Sequence, residues 1–145
     1  VRTSLLISAT HDNFLSSMLE RALRGRVRAT TDQICAPTFA PDLARTVTEQ
    51  LLHSEISGVV HIANRGECSR FDLVREAAAA SGIDATVEPA LHTDFPSRTR
   101  RPLYSTLEST RIESGMPHWR DSLGPMADVI ARRLRARIVA RGYQL

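Results

Sequence analysis

Trp119, Leu123, Met126, Ile130, Leu134 and Ile138 recur at intervals of three or four residues. That period puts them on one face of a single long helix, which is stable in water only when a second apolar layer covers the stripe. The rest of the chain offers such layers in alternation. Residues 2–7 read as a strand and residues 8–13 are rich in helix-capping types, whose short side-chain oxygens satisfy the free N–H groups of a first turn. Phe14, Met18, Ala22 and Leu15, Leu19, Leu23 then recur at helical spacing, and Gly25 is the natural stop.

The alternation continues. Residues 27–31 predict a short strand. Pro41-Asp42 opens a helix with the stripe Leu43, Val47, Leu51, because a first-turn proline has no N–H to leave unpaired. Residues 58–63 have the composition of a buried strand. Ser69-Arg70-Phe71-Asp72 is a capping-box variant that opens an alanine-rich helix, closed by Gly82. Residues 86–89 predict an extended segment, 91–106 irregular chain, and 109–115 a short helix. Strands alternating with helices define an α/β protein. With only about four short strands and about five helices, the pattern suits the smaller lobe of a two-lobed protein. The chain opens on a strand with no Met, so upstream sequence is expected.

All 19 basic residues are Arg. Without Lys, neither a Schiff base nor a Tyr-x-x-x-Lys proton relay can form within this chain. The glycine-rich dinucleotide fingerprint is missing as well. A net charge of +3 is concentrated in the last helix. No aromatic residue interleaves with those arginines, so a solvated helix face explains them better than base stacking, and no nucleic-acid partner is expected. No apolar run reaches the ~18 residues of a membrane span. Cys35 and Cys68 define neither a disulfide framework nor a zinc site, which points to a reducing cytoplasm. A nucleophilic Cys35 would need a nearby base that the sequence does not show.

Two stretches carry the candidate chemistry. Asp32-Gln33 follows a strand, and its carboxylate and amide together can accept from and donate to sugar hydroxyls; the plain alternative is a turn made by a capping Asp. Thr38 suits a helix cap or a ligand contact. Arg98, Arg100 and Arg101 sit between Pro96 and Pro102. Close guanidinium groups repel one another unless an anion or carboxylate neutralises them, so this loop is an anion-site candidate. The alternative is pairing with Asp94 or Glu108.

Taken together, Val1-Arg2-Thr3-Ser4, Asn13-Phe14, Asp32-Gln33-x-x-Ala36-Pro37-Thr38, Asp42-Leu43-Ala44, Gly58-Val59-Val60-His61-Ile62-Ala63 with Gly66-Glu67 and Ser69, and Phe95-Pro96 through Arg100-Arg101-Pro102 with Ser105 and Leu107 resemble the dTDP-4-dehydrorhamnose reductase family. The match runs in order over nearly the whole chain but covers only that family's C-terminal half.

The resemblance implies the C-terminal portion of a Rossmann-like extended short-chain dehydrogenase/reductase, with residues 1–145 as one substrate-binding lobe. The N-terminal NAD(P)-binding Rossmann lobe would lie outside it. It implies NADPH or NADH as cofactor of the intact enzyme, which reduces a 4-keto-6-deoxy sugar nucleotide, and no cofactor for this chain alone. It places Thr3, Ser4 and Leu5 beside the nicotinamide, and Asp32, Gln33, Thr38, Arg100 and Arg101 around a dTDP-sugar. No catalytic residue and no metal ligand is assigned to this chain, and a homodimer stays open. Departures favour an alternative, a non-catalytic interaction or regulatory module. Leu5 and Cys35 replace a family aromatic and a family glycine, and a positive φ at that glycine position would strain Cys35.

Overall fold

The computed structural model describes residues 1–97, 99, 101–112 and 115–142. Its elements in chain order are β1 (Leu6–Ile7), α1 (Phe14–Ala22), β2 (Arg26–Thr30), β3 (Ile34–Cys35), β4 (Thr38–Phe39), α2 (Ala40–Thr46), β5 (Cys68–Ser69), α3 (Arg70–Ala80), β6 (Thr86–Ala90), β7 (Tyr104–Ser105) and α4 (Trp119–Ala140). The last turns of α2 widen into a π-helical segment, Val47–Leu51, and a 3₁₀ turn occupies His92–Asp94. No helix among the described residues is long and apolar enough to cross a membrane.

The helices begin where local chemistry says they should. Asn13 caps α1: its side chain accepts from the Ser16 N–H, and the Ser16 hydroxyl oxygen accepts from the Asn13 N–H. Ser69 caps α3 by accepting from the Asp72 N–H at 3.0 Å. Its hydroxyl donates to the Asp72 carboxylate at 2.6 Å, which holds both residues of the box in place. Past α1 the chain turns at Gly25, with φ of +93°, a conformation that costs glycine nothing.

The predicted stripe of α4 supplies one layer of the main core through Trp119, Leu123, Ile130 and Leu134. Leu15 and Leu19 of α1, Leu73 and Val74 of α3, and Val27 of β2 pack against it. Each is buried, and full burial of such a side chain contributes about 1.5–3 kcal/mol. A smaller cluster of Val60, Ile62 and Met116 collects the apolar side of α2 and its π-helical extension. The strands form three small sheets: β1 pairs with β4 and β2 with β6, both in parallel, and the third has the order β5-β3-β7.

Several expectations need correction. Seven short strands are present among the described residues, where about four were expected. Residues 58–63 are buried from Val60 to Ala63 except for His61, but they form no ladder: a single bridge joins His61 to Arg2. The apolar composition therefore reported burial and not sheet pairing. The first strand is confined to Leu6–Ile7, because Leu5 at positive φ interrupts the extended chain before it. In the expected helix over 109–115, residues 109–112 are irregular chain with a bend and residues 113–114 lie outside the described residues; the apolar Ile112 packs on the small cluster. Cys35 lies in extended β3, so no glycine-like conformation is demanded of it. The one non-glycine residue at positive φ among the described residues is Leu5, at +30°.

The basic residues of α4 are largely neutralised within the chain. Arg133 and Arg137 share Asp12, at 3.0 and 3.1 Å, and Arg137 also meets Glu20 at 2.7 Å. Arg132 pairs with Asp128 one turn back.

Candidate anion-binding site

One face of α1 runs from the edge of the core into a cleft. Phe14, Ser17, Met18 and Arg21, at positions i, i+3, i+4 and i+7, form the wall of a cleft of about 860 Å³. Arg28 and Thr30 of β2, Gln33, and Arg70 at the start of α3 add a second wall. The loop from His92 to Leu103 closes the rim, and Leu5 reaches in from the strained turn before β1. The described lining contains four arginines, at positions 21, 28, 70 and 101, and no carboxylate.

The four cations are not equivalent. Arg28 is engaged: it pairs with Asp94 at 2.7 Å and lies over the Phe95 ring, 5.6 Å from its centroid. Arg70 stacks on Phe14 at 4.7 Å. Neither Arg70 nor Arg101 has an ion-pair partner among the described residues. Burial lowers the Arg70 pKa, and the neighbouring charge of Arg101 lowers it further. Two guanidinium groups that repel each other in a half-buried place form a site whose cost an anion would offset, as phosphate oxygens match the guanidinium fork.

The sequence-derived site residues separate. Gln33 lines the cleft; its Oε1 accepts from the Thr30 hydroxyl at 3.0 Å, which leaves its side-chain NH₂ to meet a ligand. Arg101 lines the cleft, while Arg98 and Arg100 lie outside the described residues. Asp32 does not line it. Its carboxylate accepts from the His92 N–H at 3.0 Å and lies 2.6 Å from His92 Nδ1, and that side-chain bond draws its pKa below the ordinary carboxylate value. Asp32 thus ties the turn after β2 to the 3₁₀ turn on the rim.

Thr38 requires a correction. It is fully buried in β4, its N–H donates to the Leu5 carbonyl at 3.1 Å, and its hydroxyl donates to Ala36, so it neither caps α2 nor reaches a ligand. Of the three residues expected beside the nicotinamide, Leu5 enters the cleft, the Ser4 hydroxyl donates to the Ser105 carbonyl at 2.6 Å, and Thr3 Oγ1 is shielded without a partner. Asp94 pairs with Arg28, and the alternative in which Asp94 or Glu108 neutralises the arginine loop is not seen at Arg101, the one of its three arginines among the described residues.

Sequence reasoning missed Arg70, Arg21, Arg28 and Phe14 as site residues. Arg70 was visible only as a position inside a capping box. Asn13-Phe14 did stand in the family resemblance, and that was the available signal for the α1 wall.

A second cleft, of about 1030 Å³, lies on the other side of β7. Leu103 faces the first and Tyr104 the second. Its lining mixes Arg65 and Arg111 with Glu67 and Glu108, and its arginines are engaged: Arg65 donates to Met116 O, and Arg111 to the carbonyls of Ser57 and Val59. Tyr104 donates to Glu67. Mixed charge and occupied donors make it a poor anion site.

Residues 1–132 match the family model described as the RmlD substrate binding domain. Among curated proteins, the spore coat polysaccharide biosynthesis protein SpsK of Bacillus subtilis is 32% identical over 127 residues, covering 85% of this chain and 44% of that protein. The chain spans less than half the length of that relative. Among solved structures, the dTDP-4-dehydrorhamnose reductase of Clostridium acetobutylicum aligns with a TM-score of 0.81 at 29% identity, over 89% of this chain and 47% of that one. The Bacillus anthracis dTDP-4-dehydrorhamnose reductase in complex with NADP aligns with a TM-score of 0.77 at 27% identity, over 86% and 45%.

Proposed function

The chain belongs to the RmlD substrate-binding domain family, and from that premise we propose that its arginine-lined cleft binds the diphosphate of a dTDP-linked deoxysugar. The observation that carries this reading is the cleft's described lining: four arginines and no carboxylate, with the charges of Arg70 and Arg101 close enough to repel and no ion-pair partner for either among the described residues. The Phe14 and Phe95 rings under Arg70 and Arg28 supply flat apolar surface for a base or sugar beside the phosphates. Gln33 offers its NH₂ to a hydroxyl or carbonyl oxygen.

In the same reading these residues act as one substrate-binding lobe, and reduction of the 4-keto sugar by NADPH or NADH takes place when a dinucleotide-binding Rossmann lobe completes the site. The fit of the dinucleotide to this chain is partial. Leu5 supplies part of one wall and Thr3 carries a shielded hydroxyl without a partner, but the sequence holds no glycine-rich turn and no Tyr-x-x-x-Lys. No step of hydride transfer is therefore assigned to a residue here.

Titration calorimetry with dTDP, with thymidine and with a dTDP-sugar tests the proposal. A charge-assisted hydrogen bond contributes about 1.5–3 kcal/mol, so Arg70→Ala should weaken dTDP binding by roughly 10- to 150-fold. Thymidine, lacking phosphate, should bind far more weakly than dTDP. Unchanged dTDP affinity in folded Arg70→Ala and Arg101→Ala chains refutes the assignment.

A further inference from the structure

Cys35 and Cys68 stand directly opposite each other in the antiparallel β3–β5 pair. Direct cross-strand neighbours project from the same face, with Cα atoms about 4.5–5.5 Å apart. A disulfide needs roughly 4.4–6.8 Å between Cα atoms. Both cysteines are free and buried, and Cys35 Sγ lies 3.7 Å from the Cys68 carbonyl oxygen. β5 is an edge strand of two residues, so its backbone can adjust to a new bond.

We propose that Cys35 and Cys68 form a reversible redox site, closed to a cross-strand disulfide by hydrogen peroxide and reopened by a dithiol. Buried cysteines in apolar surroundings are ordinarily inert. This pair differs because each member has a distinct chemical environment. The Cys35 thiol donates to the Cys68 carbonyl at 3.7 Å; the adjacent Cys68 side chain and the nearby Arg70 charge lower the Cys35 pKa, and the Cys68 pKa is pushed up. Cys35 is therefore the nucleophile and Cys68 the resolving thiol.

The Cys35 thiolate attacks one peroxide oxygen: an S–O bond forms, the O–O bond breaks, and the leaving hydroxide takes a proton to become water. Cys68 sulfur then attacks the Cys35 sulfur: the S–S bond forms, the S–O bond breaks, and a second water leaves with the Cys68 proton. Two thiols lose two electrons and one peroxide becomes two waters.

The site borders the cleft. Gln33 precedes Cys35 by two residues, Arg70 follows Cys68 by two, and the Arg70 N–H donates to the Gln33 carbonyl at 3.0 Å. Disulfide formation replaces the Cys35 thiol near Arg70 and ties together the two strands that lead to Gln33 and Arg70, so oxidation changes how the cleft meets a ligand phosphate. This consequence rests on the nucleotide-sugar reading; the redox site itself does not.

The test treats the folded 145-residue chain with hydrogen peroxide, quenches with catalase, alkylates, digests and maps the cysteines by mass spectrometry. The expected product is an intramolecular Cys35–Cys68 peptide link, reversed by dithiothreitol. Cys68→Ser should stop at a dimedone-trapped sulfenic acid on Cys35, and Cys35→Ser should give no link. Full alkylation of both thiols after peroxide, or separate overoxidation without a link, overturns the proposal. Calorimetry with dTDP on reduced and oxidised chains separates the two claims. A several-fold change in dTDP affinity after oxidation supports the coupling to Arg70, and equal affinity refutes it. A link that forms in a chain that never binds dTDP sinks the nucleotide reading and leaves the redox site standing. Binding without a link does the reverse.

Discussion

Replacing Asn64 by Ala should be among the most damaging single changes outside the apolar core. Asn64 is 1% exposed and its amide joins three segments. Its Oδ1 accepts from the N–H of Phe39, the residue that caps α2, at 3.0 Å. Its Nδ2 donates to the Asp42 carboxylate at 2.8 Å and to the Pro117 carbonyl, just before α4, at 3.3 Å. Truncation orphans the buried Phe39 N–H, at a cost of about 1–3 kcal/mol. Asp42 keeps Ser122 at 2.6 Å and Arg45 at 3.5 Å, so its loss is smaller. The sum is about 2–4 kcal/mol, or a fall in Tm of roughly 5–15 °C for a chain of this size. Urea denaturation followed by circular dichroism measures it. Ser122→Ala, which removes only the second donor to Asp42, should cost about 0.5–1.5 kcal/mol. An Asn64→Ala chain within about 0.5 kcal/mol of the parent, or equal to Ser122→Ala, would show that the Phe39 amide finds another partner and would refute the reasoning.

Two further outcomes are expected. The Asp32 pKa is depressed in the folded chain by His92, so its contribution to stability is present above the unfolded value and lost as pH falls through the folded one. Asp32→Asn should flatten that acid limb of the stability curve. At neutral pH it should cost no more than about 1 kcal/mol, because both partners are partly exposed; urea midpoints from pH 7 downward decide it. Gly66→Ala should lose roughly 2–3 kcal/mol: φ there is +84°, and a Cβ would stand 2.3 Å from Nε2 of His118, whose Nδ1 caps α4 by accepting from the Arg120 N–H. A double-mutant cycle with His118→Ala should recover part of that loss, and full additivity would refute the clash.

Much of the helical framework was legible because helices are specified locally. The Asn13 and Ser69 caps, the Gly25 stop and the α4 stripe each depend on residues within a turn of one another. The sheets were less legible, because pairs of two residues leave no periodicity to read: β3 and β5 exist only because Ile34 and Cys35 meet Ser69 and Cys68 from more than thirty positions away. Residues 58–63 carried the apolar signature of a strand, yet apolar composition measures burial and is indifferent to pairing. The site followed the same division. Arg101 and Gln33 could be read from their loops, and both reach the cleft. Arg70 could not, since an arginine inside a capping box looks like any solvated first-turn residue until α3 aims it at Phe14. Thr38 and Asp32 went the opposite way. Polar residues on a presumed turn suggested ligand contacts, but Thr38 is buried with its hydroxyl on the local Ala36 carbonyl, and the Asp32 carboxylate is engaged by His92 from sixty positions away.

Leu5 sets a trade-off for anyone engineering this lobe. A bulky residue at φ of +30° carries a conformational cost of about 1–3 kcal/mol that glycine would not. A stability-driven redesign would replace it first. The same side chain is a wall of the arginine cleft, so the gain in robustness would come with an emptier and less selective mouth. Stabilisation of this lobe is better sought at positions remote from the cleft, such as the exposed Val129 and Val139 of α4, where polar replacements touch neither the core nor the ligand side.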